Sequence, residues 1–274
     1  MVEFSLSANE QTDVNKITVT IPDQETPIIV LYGPPACGKT MTMVRMARYL
    51  KAEGYSVVPE RSFRPSADSH YKMLCGNFDN MVNSNNAAQS TSNISFMLLK
   101  VLKDGKPICQ ILEAPGEYYF SPSDPDRAYP PYVLSIIGSK NRKVWAVMLE
   151  PDWADAEPRR QYVGRIKNLA TKIHRNDKVV FVYNKIDTTP YVRSAGNVNT
   201  KEAIKNVMNL YPGIFKPFEN TNPITRFWKA YSCEFVPFTT GSYSKTTDGG
   251  FTYTESHGAY AQKFWQVILG QIQG

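Results

Sequence analysis

The segment GPPACGKT, from Gly33 to Thr40, carries residue types that can hold a phosphate chain. It matches the pattern GxxxxGK[ST] and stands between an apolar, strand-like run and a segment of helical periodicity. Gly33 and Gly38 permit tight turns, so successive backbone N–H groups can surround a phosphate at the start of a helix. Lys39 is predicted to reach the β- and γ-phosphates, and the Thr40 hydroxyl is suited to Mg²⁺. The segment therefore predicts a nucleoside triphosphate site.

The predicted phosphate site takes in the whole motif and the residue after it. Its members are Gly33, Pro34, Pro35, Ala36, Cys37, Gly38, Lys39, Thr40 and Met41. Two interpretations of Cys37 stand side by side. A helix N-terminus could lower the pKa of its thiol and make it reactive. The simpler interpretation is that Cys37 contributes only its backbone N–H group to the phosphate.

A second motif, NKID, indicates which base the nucleotide carries. Asn184, Lys185 and Asp187 follow the apolar run VVFVY, at the carboxyl end of a predicted parallel strand, where ligands bind in open α/β sheets. The Asp187 carboxylate can accept two hydrogen bonds from guanine, whereas adenine lacks that pair of donors. Asn184 is expected to tie this segment to the phosphate loop, and the stem of Lys185 to cover the ring. GTP and GDP are the predicted ligands.

Alternating strand and helix signals position the two motifs. Buried strands are predicted at 28–32, 143–152 and 178–187, a hairpin about the Asp-Gly turn at 94–114, and amphipathic helices at 40–52, 157–175, 200–211 and 258–272. The pattern predicts an α/β fold: a three-layer, doubly wound, mostly parallel sheet with one antiparallel edge strand, of the P-loop NTPase type. The polar segments 61–93 and 115–131 are predicted to be long loops, the first either wholly irregular or containing a short helix.

The domain prediction is a single domain over residues 1–274. It includes an N-terminal extension at 1–27 and a C-terminal hairpin and helix at 239–274. No apolar run approaches the ~18–20 residues that cross a bilayer, so no transmembrane segment is expected. The first residues lack the basic and then apolar pattern of a secretory signal, which favours a cytoplasmic protein.

Basic residues are scattered along the chain, although the net charge is +6. A local cluster at Arg159, Arg160, Arg165 and Lys167 is interpreted as a solvated helix face. The sequence therefore contains no specific signal for nucleic-acid binding.

With both motifs in place, the chain resembles the GTPase superfamily of the translation-factor type over about residues 28–238. In that family a DxxG sequence follows the strand after the hairpin, and here the position reads EAPG, from Glu113 to Gly116. The resemblance implies that Glu113 contacts Mg²⁺ through water and that the Gly116 N–H group senses the γ-phosphate. Glutamate in place of aspartate adds one methylene to this contact.

The resemblance assigns further residues to the site. Glu117 follows the glycine, where the family often has Gln or His to orient the attacking water. Glu117 is therefore either a general base or a surface residue. Thr91, Ser90 and Ser92 are the candidates for the Mg²⁺-binding hydroxyl residue of the first mobile loop, and position favours Thr91. Thr239 and Thr240 stand where the last base-contacting loop of the family falls.

Taken together, the resemblance implies a Mg²⁺-dependent guanine-nucleotide-binding protein that hydrolyses GTP slowly. Lys39, Gly116 and Glu117 are the predicted catalytic residues, and Thr40, Thr91 and Glu113 are the predicted metal residues. Loops 61–93 and 115–131 are expected to tighten on GTP, to loosen on GDP and to contact a protein partner.

Two alternatives remain open at the level of sequence. One is a P-loop ATPase or kinase, although Glu150 and Asp152 are separated by Pro151 and do not form the paired acids that would close an apolar strand. The other is a non-catalytic interaction module that binds nucleotide for structure.

Overall fold

The computed structural model describes residues 13–84, 96–222, 226, 229–245, 247 and 251–274. The strands within these residues are β1 (Ile28–Tyr32), β2 (Ser56–Pro59), β3 (Met97–Lys103), β4 (Lys106–Glu113), β5 (Lys143–Leu149), β6 (Lys178–Tyr183), β7 (Val192–Ser194), β8 (Asn197–Val198), β9 (Glu234–Pro237), β10 (Gly241–Lys245) and β11 (Phe251–Glu255). The α-helices are α1 (Lys39–Ala52), α2 (Ser69–Asn83), α3 (Gly116–Tyr119), α4 (Pro131–Gly138), α5 (Ala156–Ala170), α6 (Thr200–Leu210) and α7 (Gly258–Gln273). Each of these helices is too short or too polar to span a bilayer.

Seven of the described strands form one sheet in the spatial order β2-β3-β4-β1-β5-β6-β9. β4, β1, β5, β6 and β9 run parallel to one another, and β3 is antiparallel to both of its neighbours. The predicted α/β fold, with a mostly parallel sheet, an antiparallel strand and flanking helices, is confirmed. The antiparallel strand lies one place inside the edge, because β2 pairs along its outer side.

The central strands owe their position to continuous apolar runs. Every residue of β1 and β5 is buried, as are the last five residues of β6. Parallel strands with helices on both faces need such runs, since neither face meets water. Because these strands are adjacent and parallel, the loops that follow β1 and β6 meet at the same edge of the sheet.

The segment 61–93, predicted as a loop with or without a short helix, contains the 15-residue helix α2 at 69–83. Its buried residues Tyr71, Leu74, Cys75 and Phe78 recur at helical spacing and form one apolar face. Val82 extends this face, and most of the other residues whose side chains are described are polar and exposed, so the segment is polar overall. Residues 85–93 of the predicted loop, including Thr91, lie outside the described residues.

The predicted loop at 115–131 is wrong at both of its ends. Helix α3 begins at Gly116, and helix α4 begins at Pro131. Pro131 occupies the first position of α4, where the missing N–H group is not needed and the fixed φ angle favours a helix. Residues 120–130 form neither helix nor strand.

The C-terminal residues return to the first helix. β10 and β11 pair as an antiparallel hairpin, as predicted, and their connecting turn about residues 248–249 lies outside the described residues. Arg45 and Arg48 of α1 form ion pairs with Glu255 at 3.1 and 2.8 Å. Because Arg45 also donates to the carbonyl oxygen of Ser256 at 3.1 Å, the hairpin is fixed to the helix that follows the phosphate loop.

Candidate functional site

The predicted phosphate loop connects β1 to α1 and closes tightly at Gly38. This residue has φ +86°, and a Cβ atom at this position would overlap the side-chain amide nitrogen of Asn184. Both the left-handed backbone and the close contact therefore require glycine. Ala36 also has a positive φ, of 61°, so the loop turns twice within three residues.

Lys39 is buried at the start of α1, and its ammonium group faces back across the loop. It donates hydrogen bonds to the carbonyl oxygens of Gly33 at 3.2 Å and Pro34 at 2.9 Å. These bonds fix the only strong positive charge of the loop at its centre, among the backbone groups that the motif brings together. A cation held in this position suits a phosphate chain.

The structure favours the simpler interpretation of Cys37. Its side chain is buried, and burial raises the pKa of its thiol to about 11 although the Lys39 ammonium opposes the rise. The thiol is therefore protonated at neutral pH and is a poor nucleophile.

Thr40 and Glu113 meet at the predicted metal position. The Thr40 hydroxyl donates to Glu113 Oε1 at 3.2 Å, and the backbone N–H group of Phe96 donates to Glu113 Oε2 at 2.6 Å. Burial raises the pKa of the Glu113 carboxyl, and Lys39 opposes the rise. The longer side chain of glutamate thus reaches both Thr40 and the backbone at the start of β3.

These oxygen groups suit Mg²⁺, which is commonly held by one or two protein groups together with waters and substrate phosphates. Across the described ranges, no three His, Cys, Asp or Glu side chains converge to form a complete protein cage for a metal. A metal at this position would therefore depend on oxygens other than those of Thr40 and Glu113. Thr91, the third predicted metal residue, lies outside the described residues.

Gly116 lies against the phosphate loop. A Cβ atom there would come within 2.5 Å of Lys39 Nζ and of backbone atoms of Pro34 and Pro35. Glu117 follows in α3 and is half-buried, and its burial raises the pKa of its carboxyl while Lys39 opposes the rise. Gly116 and Glu117, two of the three predicted catalytic residues, therefore lie beside the loop that carries the third, Lys39.

Asn184 joins the two motifs directly. Its side-chain amide donates to the carbonyl oxygen of Cys37 at 3.1 Å, and its backbone N–H group donates to the carbonyl oxygen of Leu149 at 2.8 Å. Asn184 is 2 % exposed. Since it belongs to the segment after β6, it places that segment against the phosphate loop, as predicted.

Lys185 has a partner that the sequence interpretation missed. Glu150, which directly follows β5, is buried and lies 3.0 Å from the Lys185 ammonium group. Burial raises the pKa of the Glu150 carboxyl, and Lys185 opposes the rise. Glu150 therefore orients Lys185, and among the described residues it is Glu113 that contacts the phosphate-loop threonine. The sequence showed that Glu150 follows an apolar strand, but it did not show that Glu150 pairs with Lys185.

One cavity of about 590 Å³ brings the predicted nucleotide residues together. Asp187 is exposed and lines this cavity. The predicted residues around it are Ala36, Gly38, Lys39, Thr40, Met41, Asn184, Lys185, Asp187, Thr239 and Thr240. The volume lies in the range of small-molecule sites, roughly 300–1,000 Å³. Gly33, Pro34, Pro35, Cys37, Glu113, Gly116 and Glu117 do not line the cavity in the described part of the chain.

The C-terminal hairpin completes the wall around Thr239 and Thr240. The Tyr253 hydroxyl donates to the carbonyl oxygen of Thr240 at 2.7 Å, and the Ser256 hydroxyl donates to that of Thr239 at 2.8 Å. Ser242 and Tyr243 of β10 also line the cavity. Sequence reasoning missed this contribution, because no motif marks the hairpin as part of the site.

Arg165 corrects the interpretation of its helix as a solvated basic face. Its side chain is buried and donates to the carbonyl oxygens of Tyr119 at 2.7 Å and Arg127 at 2.6 Å. Its guanidinium also lies 3.6 Å from the centre of the Tyr129 ring. The Tyr129 hydroxyl is 2.7 Å from that of Tyr32, at the end of β1. Arg165 therefore holds the segment 116–130 against the site.

Comparisons with known proteins give distant likenesses only. No protein-family model and no curated protein matches the sequence. Among solved structures, the chain is similar to a protein described as nucleolar GTP-binding protein 1 of Plasmodium falciparum, at 13% identity and a TM-score of 0.44, over 93% of this chain and 90% of that one.

Two further likenesses cover less of the other chain. The GTP-bound GTPase-like domain of S. cerevisiae Ski7 matches at 11% identity and a TM-score of 0.43, over 98% of this chain and 53% of that one. GDP-bound aIF5B of Aeropyrum pernix matches at 14% identity and a TM-score of 0.38, over 78% of this chain and 33% of that one. Values this low do not assign a family, so the function is inferred from the geometry of the site.

Proposed function

We propose that this protein binds GTP and GDP together with Mg²⁺ and hydrolyses GTP slowly. The observation that carries the proposal is the single cavity lined by the phosphate loop, by Asp187 and by the Thr239–Thr240 segment. A phosphate-holding loop at one end and an exposed carboxylate at the other match the two ends of a guanine nucleotide.

Each end of the cavity has its own task. The Asp187 carboxylate accepts hydrogen bonds from the guanine edge, and the Lys185 stem covers the ring while Glu150 holds its ammonium group. At the other end, the loop N–H groups and Lys39 bind the phosphates. Their preorganised positive charge stabilises the charge that develops during phosphoryl transfer.

Thr40 and Glu113 would hold the metal. When bound, Mg²⁺ would neutralise charge on the phosphate oxygens. Glu117 is the candidate base for the attacking water, since its half-buried carboxyl lies beside Lys39 and has a raised pKa. Gly116 offers its N–H group to the γ-phosphate from its position against the loop.

We further propose that residues 1–274 form one GTPase-like domain of a cytoplasmic protein. The segments 61–93 and 115–131 form the surface that responds to the γ-phosphate and meets a protein partner, and this surface includes α2, α3 and the first residue of α4.

A competition assay tests the guanine assignment. GTP, GDP, ATP and xanthosine triphosphate are compared as competitors for a fluorescent guanine nucleotide. The wild-type protein is expected to prefer GTP over ATP by roughly 10⁴-fold. The Asp187→Asn variant is expected to prefer xanthosine triphosphate, because the amide reverses the hydrogen-bonding needs of the base edge.

Two results would count against the proposal. Equal binding of ATP and GTP would contradict the guanine assignment and favour the ATPase alternative. Tight GTP binding without multiple turnover in the presence of Mg²⁺ would leave a non-catalytic nucleotide-binding module.

A further inference from the structure

Tyr243 is an exposed aromatic residue at the base end of the cavity. It is the third residue of β10, the strand that directly follows Thr240, and it lines the cavity together with Asp187. Its side chain is 44% exposed. An exposed aromatic ring and a carboxylate that line the same cavity suit a flat heteroaromatic ligand. The aromatic ring contacts the face of the ligand, and the carboxylate accepts hydrogen bonds from its edge.

The ring of Tyr243 is held in place from within the hairpin. Its hydroxyl lies 3.2 Å from the Thr240 hydroxyl, and its ring centre lies 5.5 Å from that of Tyr253, with 30° between the planes. Tyr253 is itself buried and bonded to the backbone of Thr240. A ring supported in this way loses little conformational freedom when a ligand covers it.

The hairpin is in turn held by the helix that begins the phosphate site. Arg48 pairs with Glu255, and its guanidinium lies 5.2 Å from the centre of the Tyr253 ring. Arg45, one turn earlier in α1, pairs with the same carboxylate. Because α1 starts at Lys39, the phosphate-binding end and the aromatic wall are fixed to one rigid element.

We propose that Tyr243 contacts the purine ring of the bound nucleotide, so that the β10–β11 hairpin forms an aromatic wall of the base pocket. The inference rests on the proposed guanine-nucleotide function and adds a residue that contributes affinity for the base but not for the phosphates. The ligand class is a purine nucleoside di- or triphosphate whose edge meets Asp187 and whose ring meets Tyr243.

The test compares GDP with inorganic tripolyphosphate, which has no base, by isothermal titration of the full chain. Tyr243→Ala is expected to weaken GDP binding by about 5- to 150-fold, the equivalent of the ~1–3 kcal/mol that stacking contributes per base. Tyr243→Phe keeps the ring and is expected to stay within about 3-fold of wild type. Tripolyphosphate binding is expected to be the same in all three proteins.

Tyr49→Ala provides the matched control, since Tyr49 is a partly exposed tyrosine of α1 outside the cavity. It should leave GDP binding unchanged. In a second measurement, 8-azidoguanosine diphosphate is photolysed with the wild-type protein, and the label is expected on the peptide that contains Tyr243.

The outcomes separate this inference from the function on which it rests. If the wild type binds GDP and Tyr243→Ala binds it equally well, the aromatic wall is refuted and the nucleotide function stands. If Tyr243→Ala weakens GDP and tripolyphosphate alike, or the photolabel is confined to other peptides, Tyr243 has only a structural role. If the wild type does not bind GDP, both proposals fall.

Discussion

The side-chain amide of Asn184 donates a hydrogen bond to the carbonyl oxygen of Cys37 at 3.1 Å, across the edge of the sheet. This bond joins the segment that carries Asp187 to the middle of the phosphate loop. The two motifs are therefore joined directly, and a substitution in either is expected to shift the position of the other.

Asn184→Ala is expected to destabilise the fold and to weaken nucleotide binding. The substitution leaves the buried Cys37 carbonyl without its donor, which costs ~1–3 kcal/mol. We expect the affinity for GDP to fall by about tenfold or more. Urea unfolding and isothermal titration measure the two effects. Asn206→Ala is the control, because the Asn206 amide donates to the Tyr191 hydroxyl at 2.7 Å, away from the cavity. If both variants lose stability and GDP affinity equally, the bond to Cys37 has no special part in binding.

Glu113→Gln is expected to lower the affinity for Mg²⁺ in the presence of GTP. The variant keeps groups that can bond to Thr40 and Phe96 but removes the charge. Loss of such a supporting contact typically costs about 10- to 100-fold in metal affinity. Titration of Mg²⁺ against GTP turnover measures the change, with Glu157→Gln on the exposed face of α5 as the control. An unchanged Mg²⁺ requirement would remove Glu113 from the metal site.

The same substitution is expected to change how stability depends on pH. Burial raises the pKa of Glu113 above its ordinary value of 4.5, so the folded state binds its proton more tightly than the unfolded state does. The wild type therefore loses stability as the pH rises from about 4.5 through the raised folded-state pKa. Relative to Glu113→Gln, the wild type should be least disadvantaged near pH 4 and most disadvantaged at neutral pH. Urea unfolding of both proteins across this range checks the sign, and a difference that does not vary with pH would contradict it.

Arg165→Met is expected to destabilise the protein by about 2–4 kcal/mol, because one buried and one partly buried carbonyl oxygen lose a charged donor and the Tyr129 ring loses its cation. The segment 116–130 should then become sensitive to limited proteolysis. Arg160→Met, on the same helix but 78% exposed, is expected to change the free energy of unfolding by less than ~0.5 kcal/mol. Equal effects of the two substitutions would restore the interpretation of a solvated basic face.

Cys37 is expected to resist alkylation in the native protein. With its pKa at about 11, only about one thiol in a thousand is ionised at pH 8. Iodoacetamide should therefore modify Cys37 much more slowly in the folded protein than in urea, where all four cysteines react. Peptide mass spectrometry follows the labelling with time. Rapid and selective labelling of Cys37 in the folded state would show an activated thiol.

The parts of the fold that could be predicted are those whose signal is local. The apolar runs of β1, β5 and β6, the Asp-Gly turn between β3 and β4, and the glycines of the phosphate loop each act within a few residues. The length of α2 and the presence of α3 and α4 were not predicted, and the reasons differ. In α2 the apolar stripe is masked by polar neighbours, and in α4 the prolines were taken as loop residues although Pro131 begins the helix.

A contact in the site could be predicted where a sequence motif implies it, as with Asn184 and the phosphate loop. A contact could not be predicted where its two residues are far apart in sequence and neither belongs to a recognisable motif. Glu150 gains its role from Lys185, and Arg165 gains its role from carbonyl groups of another segment. A charged residue is normally placed on the surface, and only the fold reveals that these two are buried.

Because the hairpin is attached to α1, the pocket is completed only at a late stage of protein synthesis. Arg45 and Ser256, which meet there, are 211 positions apart in the chain. A nascent polypeptide that still holds residues 241–256 inside the ribosome has its phosphate loop in solution but not the hairpin that lines the other side of the cavity. Capture of nucleotide is therefore expected late, once residue 256 has emerged, and ligand can stabilise only chains whose translation has passed that point.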